Sequence, residues 1–173
     1  MESFASQCLL LEFQACVEQL PKEIVVQPSI RTMRQWQVCM TPNNGFYNGK
    51  IIIYNIHLEN YPNNIPDVIF QSGIVHPLIN PHNTNFASQL LINEWNRYTR
   101  IYELIQAIYN SFVDIPQLKQ VPNPEAYNIL KSPDAKNTIL AQLKTPSAAE
   151  NHEHNEPKKW TSQKEKLCHV LYD

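Results

Sequence analysis

The chain has 173 residues, of which 43% are hydrophobic and 17% charged, and its net charge is −2 at neutral pH. This composition predicts one globular domain, and the charge balance excludes the basic surface with which proteins bind DNA or RNA. The 3 glycines form no phosphate-binding glycine-rich loop. No apolar run reaches the ~20 residues that span a bilayer, and Met1-Glu2 starts no secretory signal. We therefore expect a soluble, intracellular protein with no direct membrane insertion and with reduced thiols.

Residues 3–20 have the spacing of an amphipathic helix. Apolar side chains recur at i, i+4, i+7, i+8 and i+11, and Pro21 ends the pattern. The pattern predicts a helix that lies on the core through one apolar stripe, formed by Leu9, Phe13, Cys16, Val17 and Leu20.

The next part of the chain predicts four strands, at residues 24–27, 36–40, 49–58 and 67–70. In the longest of them every second side chain shares one face, and this face is formed by Ile52, Tyr54, Ile56 and Leu58. Because short connections join neighbouring strands, we expect an antiparallel meander.

From residue 71 to residue 94 the periodicity is lost. A segment of this length without regular structure inside a compact domain is usually functional. The pattern resumes with a helix that we expect to be capped by Thr99 and to continue to about Phe112, with a stripe formed by Ile101, Leu104, Ile105, Ile108 and Phe112.

Two later segments repeat one helix-start pattern, in which a capping side chain precedes proline and an acidic residue. They are Asn123-Pro124-Glu125 and Ser132-Pro133-Asp134. The second predicted helix carries Ile139, Leu140 and Leu143. Residues 145–173 are predicted to be a polar linker and tail, partly disordered, which leaves residues 1–144 as the core domain.

The order of helix, four-stranded meander, long loop and C-terminal helices resembles the ubiquitin-conjugating enzyme (UBC-like) fold, of the α+β class. The resemblance covers roughly residues 3–143. The motifs that carry it are Trp36-Gln37-Val38, Phe46-Tyr47-x-Gly49, Tyr61-Pro62-x-x-x-Pro66, His76-Pro77-Leu78-Ile79 and Trp95.

A narrower resemblance rests on three longer motifs, which are His76-Pro77-Leu78-Ile79-Asn80-Pro81, Glu94-Trp95-Asn96-Arg97 and Asn123-Pro124-Glu125-Ala126. They are similar to the fused toes family, whose insect members are called crossbronx and crossbronx-like. The resemblance implies a catalytically inactive variant of the conjugating enzymes.

Active conjugating enzymes carry ubiquitin on a cysteine thiol and use a nearby asparagine amide to stabilise the oxyanion. The family places both in one loop, as His-Pro-Asn, a hydrophobic residue, a short spacer with glycine, and cysteine. Here the asparagine position is Leu78. The cysteine position is Phe86 or Ala87, depending on the spacer length. We favour Ala87, because Phe86 then takes an aliphatic position and Thr84 takes the glycine position.

Other residues in this sequence offer no replacement chemistry. Ser88 has no base paired with it, and His76 is interpreted as holding the loop, since no nucleophile is present for it to activate. Tyr61-Pro62-x-x-x-Pro66 is interpreted as a stiff turn. The four cysteines, Cys8, Cys16, Cys39 and Cys168, are interpreted as core or incidental residues.

A metal site is the remaining candidate, formed by His152, His154, Cys168 and His169. The irregular spacing of these residues argues against a zinc site. We expect neither a metal nor a cofactor.

Three functional hypotheses follow. The resemblance implies an adaptor that binds Hook-type coiled-coil proteins in a complex linking endosomal vesicles to microtubule motors. We expect its partner surface at exposed apolar positions of residues 71–94 and in residues 160–173. The alternatives are a ubiquitin-binding variant that assists an active conjugating enzyme, and an active enzyme with a displaced nucleophile. Ubiquitin-binding variants usually lack the C-terminal helices, whereas two capped helices are predicted here.

Overall fold

A computed structural model of the chain describes residues 2–86, 95–115 and 121–142. One helix precedes a run of four strands and three helices follow it, which is the segregated order of the predicted α+β class. The elements are α1 (Glu2–Gln19), β1 (Ile24–Pro28), β2 (Gln35–Met40), β3 (Ile52–His57), β4 (Asp67–Phe70), α2 (Ile101–Val113), α3 (Pro124–Lys131) and α4 (Ala135–Gln142). No helix in this described part has the length and apolar character needed to cross a membrane.

The four strands form one antiparallel sheet in the order β1-β2-β3-β4, which confirms the predicted meander. Strand β3 is shorter than the strand predicted for residues 49–58, because residues 49–50 belong to a turn. In this turn the Gly49 N–H donates to Pro42 O over 2.8 Å, and Lys50 N–H donates to Tyr47 O over 3.0 Å. These bonds hold residues 49–50 in the turn, and pairing with β2 begins only at Ile52, opposite Met40.

One face of the sheet is buried beneath α2. On β3 and just beyond it, the side chains Ile52, Tyr54, Ile56 and Leu58 are fully buried, as the alternation predicts. The predicted stripe of α2 covers them and is itself buried. Burial of a large apolar side chain contributes about 1.5–3 kcal/mol. This contact between α2 and the sheet therefore forms the main core.

The stripe of α1 differs from the prediction on one side. Leu9 and Cys16 are buried, but Val17 is 39% exposed and Glu12 is only 7% exposed. At about 100° per residue, Val17 lies about 80° around the helix from Leu9, and Glu12 lies about 60° away in the other direction. The helix is therefore rotated so that a carboxylate, rather than Val17, faces the core.

The start of α2 also differs from the prediction. Thr99 is not its capping residue, because Thr99 Oγ1 accepts a hydrogen bond from Asn96 N over 3.2 Å. Arg100 occupies the capping position, and its backbone N–H donates to the Glu103 carboxylate over 2.8 Å. A glutamate on the third helical residue thus takes over part of the capping.

Of the two predicted proline-containing helix starts, one is confirmed. Asn123 Oδ1 accepts from Ala126 N over 3.0 Å and caps α3, which begins at Pro124. The Ser132 cap is wrong, since its hydroxyl donates to Ile129 O over 2.8 Å and so completes the end of α3. Accordingly α4 begins only at Ala135. Ile139 is buried there, while the predicted Leu140 and Leu143 contacts lie outside the described side chains.

Candidate functional site

Residues 75–86, the His76 loop, follow β4 and pack between the sheet edge and the C-terminal end of α2. Two hydrogen bonds hold the loop to β4: Phe70 N–H donates to Thr84 O over 3.0 Å, and Phe86 N–H donates to Val68 O over 2.8 Å. A third joins the cap of α3, from Asn123 N to Pro77 O over 3.0 Å. Neighbours on three sides therefore fix the backbone that the resemblance identifies as the former active-site loop.

His76 is fully buried, and both of its ring nitrogens have partners. Nδ1 accepts a hydrogen bond from Leu78 N over 3.1 Å, and Nε2 lies 3.0 Å from Ser111 O. Since Nδ1 accepts, the ring proton is assigned to Nε2, which donates to Ser111 O. Ser111 lies in the last turn of α2, where carbonyl groups have no partner within the helix. His76 thus satisfies one of them.

The charge state of His76 follows from this environment. Burial lowers the pKa of His76 from 6.5 to about 4, although the hydrogen bond to the Ser111 backbone acts in the opposite direction. The ring also stacks on Phe112, with 4.2 Å between centroids and 21° between planes. At neutral pH the imidazole is uncharged, and neither nitrogen is available to take a proton from a substrate.

Tyr47 holds the start of the loop from the opposite side. Its hydroxyl donates a hydrogen bond to Val75 O, and its ring centroid lies 4.9 Å from that of Phe112 and 5.7 Å from that of His76. Burial raises the pKa of Tyr47, so the phenol keeps its proton. From the sequence Tyr47 is recognisable only as part of a fold motif. Its role in holding the His76 loop is not predictable, because its partners lie 28 or more residues away.

The resemblance predicts Leu78 at the asparagine position of active conjugating enzymes and Phe86 or Ala87 at the cysteine position. In the structure Leu78 is buried with 3% exposure. Phe86 is half-buried, 5.7 Å from Phe70 between ring centroids. Thr84 adopts φ +58°, in the left-handed region that favours glycine. Ala87 and Ser88 lie outside the described residues.

The expected partner surface on this loop is wrong for its described part. Among residues 71–86 the large apolar side chains are buried or half-buried, and the exposed positions are Gln71, Ser72, Gly73, Pro81, His82, Asn83 and Asn85. The apolar residues face inward because they bridge the sheet edge and α2. Residues 87–94 of the expected surface lie outside the described residues.

The N-terminal end of α2 is built from charged groups. The Glu12 carboxylate accepts a hydrogen bond from Ile101 N over 3.0 Å through Oε2, and its Oε1 lies 2.6 Å from Arg100 Nε. A carboxylate at this end interacts favourably with the helix dipole. Glu12 therefore joins α1 to α2, which explains why it replaces Val17 in the buried stripe.

The motif residues Tyr61, Pro62 and Trp95 come together beside this ion pair. Trp95 Nε1 donates to Pro62 O over 3.3 Å, and Tyr61 and Trp95 meet edge to face with 6.1 Å between ring centroids. The Tyr61 hydroxyl donates to Thr99 O over 3.3 Å. Pro66, the last residue of the Tyr-Pro-x-x-x-Pro motif, is buried. These contacts attach the turn after β3 to the segment that precedes α2.

A groove of about 650 Å³, the α1 groove, opens at this end between α1 and the two attached segments. Three arginines line it, Arg34, Arg97 and Arg100, against the single carboxylate of Glu12. Among the lining residues, Tyr98 is 80% exposed, and Leu9 and Tyr61 add apolar surface. The groove combines apolar and basic groups that a protein partner can contact.

The described cysteines are not part of the His76 loop. Cys8 lies at the α1 groove, Cys39 is half-buried in β2, and Cys16 is buried in α1. Burial, with a contribution from the Glu12 carboxylate, raises the pKa of the Cys16 thiol to about 12. Helix α1, which carries Cys8 and Cys16, contacts α2 at Ile101, whereas the His76 loop contacts α2 at Ser111. These two contacts are ten residues apart, which is about 15 Å along α2. Cys168 lies outside the described residues.

Side chains suited to metal binding do not converge in the described part of the chain. No group of three or more His, Cys, Asp or Glu residues is found there that could hold an ion. The candidates His152, His154, Cys168 and His169 lie outside the described residues.

Comparison with known families decides the affiliation. The profile of the family described as ubiquitin-conjugating enzyme matches residues 8–145. The chain belongs to the ubiquitin-conjugating enzyme family. Two solved structures agree with this fold. One, of a Plasmodium yoelii protein assigned to these enzymes, is 22% identical with a TM-score of 0.69 and covers 83% of this chain and 96% of its own. The other, described as a novel ubiquitin-conjugating enzyme, is 25% identical with a TM-score of 0.66 and covers 77% of this chain and 90% of its own.

Curated relatives confirm the narrower resemblance to the fused toes family. Protein crossbronx of Drosophila virilis is 26% identical over 72% of this chain and 55% of its own. Protein crossbronx-like of Drosophila erecta is 29% identical over 70% and 52%. AKT-interacting protein of Danio rerio is 27% identical over 68% and 41%. The chain thus spans about half the length of the curated relatives it matches.

Proposed function

We propose that this chain is a non-catalytic ubiquitin-conjugating enzyme variant that acts as a protein-interaction adaptor. One observation carries the proposal: the loop that would hold the reactive thiol contains none. The sequence has no cysteine between Cys39 and Cys168. The loop is nevertheless firmly held, with His76 neutral and both of its ring nitrogens occupied. Selection for folding is sufficient to explain such a loop.

The backbone of Thr84 supports the alignment in which Ala87 replaces the cysteine. In this alignment Thr84 stands where active enzymes have glycine, and its φ of +58° is one that glycine adopts without strain. In the other alignment the replacing residue is Phe86, whose ring packs against Phe70. Either residue lacks a nucleophilic atom, and Leu78 lacks the amide that stabilises the oxyanion.

A thioester assay tests the absence of catalysis. The full chain is incubated with activating enzyme, ATP and ubiquitin and then run on a non-reducing gel, beside an active conjugating enzyme as positive control. We expect no reductant-sensitive adduct. An adduct on the unmodified chain would overturn the proposal, and single serine variants of Cys8, Cys16, Cys39 and Cys168 would locate its thiol.

A gain-of-function variant sharpens this assay. Ala87→Cys combined with Leu78→Asn restores both residue types at the positions we assign. A ubiquitin adduct on this variant alone supports the Ala87 alignment. If Phe86→Cys with Leu78→Asn accepts ubiquitin instead, the Phe86 alignment is the correct one.

For the partner, we propose a Hook-type coiled-coil protein in a complex associated with endosomal vesicles. The support is the membership of the fused toes family and the mixed apolar and basic surface of the α1 groove. Residues 160–173, with Leu167, Val170, Leu171 and Tyr172, remain a second candidate surface. An adaptor needs an intact scaffold and an exposed contact surface, and it needs no thiol.

A pull-down with the C-terminal coil of a Hook protein tests this partner. We expect the full chain to be retained, and expect Tyr98→Ala with Arg97→Ala, both in the lining of the α1 groove, to weaken retention about tenfold. Ile30→Ser is the matched control, since Ile30 is 99% exposed but lies in the turn between β1 and β2. Failure of the unmodified chain to bind would remove the Hook proposal and leave the non-catalytic proposal untouched.

An NMR titration with ubiquitin separates the adaptor from a ubiquitin-binding variant. Helices α3 and α4 are present in the described part, whereas ubiquitin-binding variants usually lack the C-terminal helices. We expect no shifts at millimolar ubiquitin. Saturable shifts at lower concentration would favour the ubiquitin-binding role instead.

A further inference from the structure

Two of the chain's 3 glycines directly follow an asparagine, in Asn44-Gly45 and Asn48-Gly49. In such pairs the asparagine side chain can react with the next backbone nitrogen, because glycine has no Cβ to hinder the approach. Both pairs lie in the connection between β2 and β3, and all four residues are exposed. The two pairs therefore differ in backbone contacts rather than in access to water.

The nitrogen of Gly49 is engaged away from its asparagine. It donates to Pro42 O over 2.8 Å, a bond that helps to form the turn before β3. Attack by this nitrogen requires loss of its proton and of that hydrogen bond. The turn therefore protects Asn48.

The nitrogen of Gly45 has a different partner. Its N–H donates a hydrogen bond over 2.8 Å to Asn44 Oδ1, the side-chain oxygen of the preceding residue. Because Oδ1 is bonded to Cγ, the contact brings the nitrogen close to the amide carbon that it would attack. This nitrogen must also lose its proton and its hydrogen bond before it can attack. Its partner is the reacting side chain itself, so the two groups start close together, which favours an intramolecular reaction.

We propose that Asn44 is a site of spontaneous modification, in which the folded structure directs succinimide formation to Asn44-Gly45 and away from Asn48-Gly49. The Gly45 nitrogen loses its proton to solvent and forms a bond with Asn44 Cγ. The Cγ–Nδ2 bond breaks, and the side-chain nitrogen takes up a proton and leaves as ammonia. Water then opens the ring at Cγ to give aspartate, or at the backbone carbonyl to give isoaspartate.

The product disturbs the contact between this turn and α2. A Cβ on Gly45 would lie 2.5 Å from Val113 O, so the turn packs directly on the C-terminal end of the helix. Isoaspartate lengthens the main chain by one carbon beside this contact, and either product places a negative charge near the carbonyl end of the helix dipole. Tyr47, which holds Val75, belongs to the same turn. The modification therefore loosens the attachment of the His76 loop.

Peptide mass mapping of the full chain, aged at mildly alkaline pH, tests the proposal. We expect the mass gain of amide-to-acid conversion to appear about tenfold faster at Asn44 than at Asn48, because the Gly49 nitrogen is held away from its asparagine by Pro42 O, whereas the Gly45 nitrogen is held beside Asn44 itself. In denaturant the two rates should approach each other. Equal rates in the folded chain, faster reaction at Asn48, or a ratio unchanged by denaturant would each overturn the proposal.

Two variants test the structural consequence. Aged unmodified chain and aged Asn48→Gln should both contain isoaspartate, detectable by an isoaspartyl methyltransferase, and should both melt at a lower temperature than fresh protein. Aged Asn44→Gln should contain only about a tenth as much isoaspartate, formed at Asn48, and should keep the melting temperature of fresh protein. Loss of melting temperature in aged Asn44→Gln equal to that of the unmodified chain would show that ageing acts elsewhere.

Discussion

The two ends of α2 are satisfied by opposite kinds of chemistry. At the N-terminal end a carboxylate, Glu12, accepts from Ile101 N and pairs with the half-exposed Arg100. At the C-terminal end an uncharged imidazole, His76, donates to Ser111 O inside an aromatic cluster. Both meet backbone groups that a helix leaves without partners. The charged end opens into the α1 groove, the surface we propose for a partner, whereas the apolar end buries an uncharged ring within the core.

The largest expected effect is at the apolar end. His76→Ala removes the partner of Ser111 O and of Leu78 N and leaves a cavity against Phe112, so we expect a loss of about 4 kcal/mol in the free energy of unfolding. Urea unfolding of the variant measures it. His82→Ala in the same loop is the control, because His82 is exposed, and its change should stay within about 0.5 kcal/mol. Similar losses in both variants would contradict the anchoring role of His76.

The pH dependence of stability should show the same contrast. The pKa of His76 is about 4 in the folded chain and 6.5 for the free group, so below pH 6.5 the unfolded state takes up a proton that the folded state does not. Stability should therefore fall by about 3 kcal/mol as the pH falls from 6.5 to 4, and level off below. The measurement is urea unfolding across this range, with His76→Gln as control. Equal slopes for both proteins would place the titrating group elsewhere.

At the charged end we expect a smaller effect. Glu12→Gln leaves an amide beside Ile101 N but removes the ion pair with Arg100, whose side chain is 43% exposed and can be hydrated. The expected loss is about 2 kcal/mol, below the cost of breaking a fully buried pair. Glu18→Gln, exposed on the same helix, should change stability by less than about 0.5 kcal/mol. If Glu12→Gln costs more than His76→Ala, the contrast between the two ends is wrong.

The smallest effect concerns the backbone of the His76 loop. Thr84→Gly relieves a left-handed conformation at φ +58°, offset by the greater freedom of glycine in the unfolded chain, so we expect a gain of up to about 1 kcal/mol. Thr41→Gly, at the end of β2, should instead lose about 1 kcal/mol. Thermal unfolding of the two variants compares them. A comparable loss at both sites would argue against placing Thr84 at the glycine position.

The sequence predicted the parts of this fold that repeat within a few residues. The buried face of β3 follows from alternation, and the stripe of α2 follows from the helical period. The burial of Glu12 was not predictable in this way, because its partners Arg100 and Ile101 are close only after folding. Local capping rules failed at Thr99 and Ser132 for a related reason. Each hydroxyl had another hydrogen-bond partner within three residues, and sequence alone does not decide between them.

At the candidate site the replacement of the cysteine and the asparagine stays a prediction from the sequence. The structure places the motif residues Tyr61, Pro62 and Trp95 together near one end of α2 and His76 at the other. The sequence does not predict that Tyr47 and Phe112 enclose His76, because these contacts span 29 and 36 residues and depend on how α2 lies on the sheet. The predicted partner surface is wrong for residues 71–86, because an irregular segment has no periodicity that separates buried from exposed apolar residues. In the structure they fill the space between the sheet edge and the helix.

The pairing of residues 84–86 with β4 has a consequence for how the chain behaves among other chains. The β4 strand ends the sheet, and its outward Phe70 N–H and Val68 carbonyl are already bonded to Thr84 and Phe86. An uncovered edge strand can recruit a strand from a neighbouring molecule and so start aggregation. The loop closes this edge with backbone atoms alone. Its conformation therefore protects solubility whether or not it carries a thiol, which gives a reason for a protein without that thiol to keep it.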